Sequence, residues 1–183
     1  MLYSNFKDKS GLDLPFTLIH IYSALGDPVL YSDFKLRCCA IRFPEKESGF
    51  SIKFDILLSS PNVNACIESL VSVGDVYDFY RNLKTVIRNN SGHAELKEEQ
   101  KRTRTDLFIS YETSGKCSLS GFVHDPDEQV HPAAYRGVNF HLVFEPEMIE
   151  KSLAEFKQLF YELEKLTGNT GLYGDPDGAD RED

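Results

Sequence analysis

From Phe50 to Leu58 the chain reads FSIKFDILL, in which Phe50, Ile52, Phe54 and Ile56 are separated one by one by Ser51, Lys53 and Asp55. Side chains in an extended strand point to opposite faces with a period of two, so this stretch specifies a strand with one buried and one wet face. Such a strand needs hydrogen-bonded neighbours and a second layer over its apolar side. The preceding DFKLRCCAIRF, Asp33 to Phe43, supplies a neighbour: Phe34, Leu36, Cys38 and Ala40 alternate with polar residues at its start. PEKESG, with Pro44 and Gly49, is the turn that makes the two a hairpin.

The rest of the chain repeats these signals. FTLIHIY (Phe16 to Tyr22) and ACIESLVSV (Ala65 to Val73) are rich in β-branched and aromatic residues and read as strands. Leu107, Ile109 and Tyr111 alternate, as do Cys117, Leu119, Gly121 and Val123, and Gly115 supplies a turn between them. A last strand spans Tyr135 to Glu145, with Val138, Phe140, Leu142 and Phe144 on one face. Two segments switch to helical spacing. Val76, Phe79, Tyr80, Leu83, Val86 and Ile87 define a helix over about Gly74 to Arg88, and Ser72 followed by Asp75 resembles a capping box. Ile149, Leu153, Phe156, Leu159, Phe160, Leu163 and Leu166 form one stripe of a second helix, between an entry proline, Pro146, and a stop glycine, Gly168. Residues 90–105 are dense in charge and fit a polar edge strand, a short helix or a loop equally well.

The expectation is an α+β fold: one antiparallel β-sheet of about six or seven strands, with two amphipathic helices packed on it. Residues 1–167 form a single domain. Residues 168–183 form a Gly-rich tail with five acidic side chains and one basic, too polar to pack and expected to be disordered. No repeat of fixed period is visible.

The net charge of −9 disfavours nucleic acid and favours a basic partner. No stretch is long and apolar enough for a membrane span, and MLYSNFKDKSG lacks the pattern of a secretory signal, so the expected compartment is the cytoplasm. Cys38, Cys39, Cys66 and Cys117 show no C-x-x-C spacing and read as reduced thiols. His124, Asp125, Asp127, Glu128 and His131 are crowded into GFVHDPDEQVHPAAY. Histidine with carboxylate suits zinc, and His124, His131 and Asp127 would be its ligands. Pro126, Pro132 and the acids equally suit a hydrated loop between two strands, and we expect that loop, with no metal and no cofactor. Cys117 and His141 could meet across strands as nucleophile and base; no nucleophile elbow, phosphate loop or zinc-helix motif is present, so no catalytic residue is expected.

Three stretches, ESLVSVGDVYDFYRNLKTVI, DLFISYETSGKCSLSGFVHDP and GVNFHLVFEPEMIEKSLAEFKQLFYEL, resemble in their order the WapI-like immunity proteins of bacterial toxin systems and their uncharacterised relatives. Asp33 followed by Phe34 resembles the acid and aromatic found early in such chains, although a Trp common there is missing. The resemblance spans roughly residues 16–166. It implies a non-catalytic module that neutralises a cognate toxin, commonly a basic nuclease domain, through exposed acids and aromatics. Tyr31, Asp33, Asp125, Asp127, Glu128 and Tyr135, at strand ends or in loops, are the candidates for that contact. Two alternatives stand beside this reading: a regulatory or scaffold domain, and a metal-dependent enzyme built on the His124–His131 loop.

Overall fold

The strand signals resolve into two sheets. The computed structural model describes residues 13–23, 32–42, 50–61, 63–99, 104–125 and 136–168. Among these, β1 (Phe16–Ser23), β2 (Ser32–Arg42), β3 (Ser51–Ser60) and β4 (Val63–Ser72) form one antiparallel meander, followed by α1 (Val73–Asn89). β5 (His93–Glu99), β6 (Arg104–Tyr111), β7 (Cys117–Asp125) and β8 (Arg136–Phe144) form a second, followed by α2 (Glu147–Thr167). The α+β class, the antiparallel pairing and the two helices agree with the sequence. The single sheet of six or seven strands does not: there are two sheets of four.

The correction has two physical causes. Alternation fixes which face of a strand is buried but not which strand lies beside it. Here α1 intervenes after β4, packs on β5, and the chain begins a new sheet. The additional strand, β5, lies in the charge-dense segment. Its inward positions are Ala94, Leu96 and Glu98, and the last of these puts a carboxylate where alternation calls for an apolar residue.

The two halves are built alike, ββββα and ββββα, and their helices are exchanged. α1 packs mainly on β5, the first strand of the second half; α2 packs on β1, the first strand of the first half, and on α1. The same reciprocity holds at the seams, where β4 meets β5 and β1 meets β8. One continuous core results. The inward faces of both sheets and the buried stripes Val76, Phe79, Leu83, Val86 and Ile149, Phe156, Leu159, Leu163 all belong to it. Phe34 of β2 meets Phe140 of β8 with ring centres 5.4 Å apart, which ties sheet to sheet. Phe79 and Tyr80 each lie 5.9 Å from Phe156, which ties helix to helix. Such aromatic pairs add about 0.5–1.5 kcal/mol each beyond the area they bury.

The helix ends follow the sequence. The Ser72 hydroxyl accepts from the Asp75 backbone N–H at 3.0 Å and donates to the Asp75 carboxylate at 2.7 Å, so the acid reaches the serine side chain. Asn90, at φ 50°, closes α1 by donating to the Ile87 carbonyl, and Gly168, at φ 68°, closes α2. Pro146 precedes α2 without a side-chain cap. No helix among the described residues is long and apolar enough to cross a membrane.

At the β4–β5 seam a polar network replaces a backbone ladder. Glu98 is buried on β5, and its carboxylate accepts from the Leu70 backbone N–H at 3.2 Å and from the Ser69 hydroxyl. Thr105 of β6 donates to Ser69 Oγ at 3.1 Å. An inward-pointing carboxylate thus occupies the outward edge of β4, which would otherwise offer an unpaired donor.

Candidate functional site

The outward face of the first sheet carries the densest set of interacting polar side chains described. Strand register arranges them in rows across the sheet. One row is Tyr22–Asp33–Ser59–Asn64 and the next is His20–Lys35–Leu57–Cys66. A third is Arg37–Asp55–Glu68, with Lys53 beyond it. A β-bulge between Thr17 and Ile19 sets up the first strand: Leu18, Ile19 and Ile21 all turn inward, while His20 and Tyr22 turn out.

Charge on this face is paired. Asp33 holds two nitrogen groups on separate oxygens, His20 Nε2 at 2.8 Å from Oδ1 and Lys35 Nζ at 2.9 Å from Oδ2. Arg37 donates to Asp55 at 3.1 Å, and Lys53 to Glu68 at 2.6 Å. Ion pairs exposed to this degree contribute about 0–1 kcal/mol each, so they organise the surface more than they stabilise the fold. Over the first two rows lies an open depression of about 350 Å³, lined by Asp33, Lys35, Leu57, Ser59, Asn64 and Cys66 among others. The Ser59 hydroxyl donates to Asn64 Oδ1 at 2.7 Å along its rim. Tyr22, the β1 partner of Asp33, is 46% exposed, its ring edge-on to His20 with centres 5.8 Å apart.

Of the residues singled out from the sequence, Asp33 belongs to this cluster. Asp125 ends β7, paired through its backbone with Arg136, and its side chain is outside the described set. Tyr31, Asp127, Glu128 and Tyr135, and with them most of the His124–His131 loop, lie outside the described residues, as does the tail after residue 168. The strands flanking that loop are antiparallel neighbours, β7 and β8, and reach Asp125 and Arg136. Among the described residues no group of three His, Cys, Asp or Glu side chains is placed to hold a metal ion.

Cys117 and His141 do not meet. Cys117 is buried on the inward face of β7 opposite Phe144, whereas His141 is exposed on the outward face of β8 opposite Ser120. Burial, and then the carboxylates of Glu112, Glu147 and Glu145, push the Cys117 thiol up to about 11. Cys38 is pushed to about 12 by burial and by Cys39, and Cys39 to about 12 by burial and by Asp55. All three are protonated at neutral pH and poor nucleophiles.

Sequence reasoning missed Tyr22, Lys35, Leu57 and Cys66 as a group. One signal was available: continuing the alternation of FSIKFDILL places Leu57 on the polar face, an apolar residue out of pattern. What gathers the four is the successive pairing of β1 with β2, β2 with β3 and β3 with β4. Comparison with known proteins found no matching family model, no matching curated protein and no matching solved structure.

Proposed function

We propose that this chain is a non-catalytic, cytoplasmic protein-binding module of the immunity type, which neutralises a basic toxin, such as a nuclease domain, by docking on it. The observation that carries the reading is the outward face of the first sheet: a depression lined in part by Leu57 and Cys66, an exposed tyrosine in the neighbouring strand and a surround of mutually paired polar groups. Interface anchors are characteristically aromatic side chains beside pockets, ringed by polar groups that exclude water. The net charge of −9 adds an electrostatic field that speeds encounter with a basic partner. Three thiols held protonated speak against thiolate catalysis.

The test is a pull-down of the tagged full chain from its native host, washed at low and then high salt and read by mass spectrometry. The expected result is one basic protein in stoichiometric amount, shed by salt. Expressed alone, that protein arrests growth; co-expressed with this chain, it does not. A captured partner that is harmless when expressed alone contradicts the immunity role and favours the regulatory or scaffold reading.

A further inference from the structure

The depression on the first sheet has a chemistry that selects among partner side chains. Its volume of about 350 Å³ lies near the lower end of ligand pockets, which run from about 300 to 1,000 Å³. It is open on one side, which suits a side chain projecting from another molecule. Leu57, Cys66 and Lys35, neighbours in one row across three strands, are among the residues that line it. The Asp33 carboxylate also lines it, only 18% exposed, with Oδ1 2.8 Å from His20 Nε2 and Oδ2 2.9 Å from the Lys35 ammonium. Those donors are more exposed than their acceptor, Lys35 at 34% and His20 at 44%, so either can swing back into water when a better donor arrives.

We propose that this depression binds an arginine side chain of the partner protein. The proposal rests on the binding role above and names the group recognised. A guanidinium presents a planar fork of N–H donors that matches both oxygens of a carboxylate at once, which neither the Lys35 ammonium nor the His20 ring does. It is less strongly hydrated than an ammonium and loses less on entering a half-dry site. Its three-carbon stem would lie on Leu57 and Cys66. Tyr22, 46% exposed, pairs with Asp33 across the β1–β2 ladder, and a rotation of its ring would bring it over the guanidinium. An acidic side chain fits poorly: Asp33 would repel it, and the Lys35 ammonium beside it is already held by Asp33.

The test uses the full chain, labelled with nitrogen-15, and the capped tripeptide acetyl-Gly-Arg-Gly-amide, with its neutral citrulline counterpart as control. Titration at low ionic strength is expected to move the amide signals of Tyr22, Asp33, Leu57 and Cys66 together and saturably, with a Kd on the order of millimolar for so small a ligand. The citrulline peptide moves none of them. Asp33→Asn weakens binding by about tenfold, as loss of a charge-assisted bidentate contact requires. Lys35→Ala acts in the opposite direction and tightens binding, because it removes the competitor for Asp33. Lys53→Ala, which removes the same charge from another part of the face, leaves binding within about twofold. Shifts scattered over the acidic surface, or equal effects of Lys35→Ala and Lys53→Ala, overturn the arginine site. Rescue from the toxin with no arginine binding moves the docking face elsewhere; arginine binding without rescue keeps the site and removes the immunity role.

Discussion

The first half of the molecule and the second share an element order, and each lays its helix on the other's first strand, yet they turn different surfaces to water. Outward rows of the first sheet hold His20, Asp33, Lys35, Arg37, Lys53, Asp55 and Glu68, joined in polar pairs within β2 and across strands. Outward rows of the second are Glu95–Phe108–Ser120–His141 and Lys97–Asp106–Phe122–Asn139, with Lys97 Nζ 5.6 Å from the centre of the Phe108 ring. The inward faces differ as well. Where the first sheet fills its central row with Leu36, Ile56 and Ile67, the second has Leu107, Gly121 and Phe140. A Cβ on Gly121 would lie 2.6 Å from Phe140 Cζ and 2.7 Å from the Asp106 carbonyl oxygen, so the glycine is what lets the Phe140 ring settle across the strand and reach Phe34. Packing fixes the order of elements and the apolar stripe in both halves. It leaves the wet faces free to diverge, and the first sheet carries a depression lined by Asp33, with the exposed Tyr22 in the neighbouring strand.

Three substitutions test how far the halves depend on each other, from the largest expected effect to the smallest. Phe156 of α2 is fully buried against Phe79 and Tyr80 of α1, so Phe156→Ala should lower the free energy of unfolding by about 3–5 kcal/mol in urea melts, with one transition for both halves. Two separate transitions would mean that the halves fold independently despite the exchanged helices. Glu98→Ala removes the carboxylate to which the Leu70 N–H and the Ser69 hydroxyl donate at the β4–β5 seam, and should cost about 2–3 kcal/mol in the same measurement. Gly121→Ala presses on the Phe140 ring and on the Asp106 carbonyl oxygen and should cost about 1–3 kcal/mol, as overpacking does. A neutral result there would remove the glycine from the account of sheet-to-sheet contact.

How much of this was legible in the sequence follows from what each signal encodes. A helix carries its own period and its own ends, so Ser72, Pro146 and Gly168 marked boundaries that the structure reproduces within a residue or so. A strand carries only its buried face. Nothing in the alternation of Phe50 to Leu58 distinguishes one wide sheet from two narrow ones. β5 was obscured by Glu98, whose inward position makes sense only once Leu70 and Ser69 stand beside it. The doubled architecture escaped notice as a repeat because its connections differ in length: equivalent strands begin 66 residues apart at Ser51 and Cys117, and 77 apart at Phe16 and His93. For the site, Asp33 was legible as an acid at a strand start. Its companions come from three other strands and become neighbours through register alone.

The proposed docking places the partner on the first sheet and not on the second. Calorimetric titration of the recovered basic partner against Tyr22→Ala and Val143→Ala compares one exposed apolar side chain from each outward face. Tyr22→Ala should raise Kd by about tenfold or more and Val143→Ala should stay within about twofold, as expected for an anchor and for a bystander. The reverse pattern, with Val143→Ala weakening the complex and Tyr22→Ala leaving it unchanged, would contradict it.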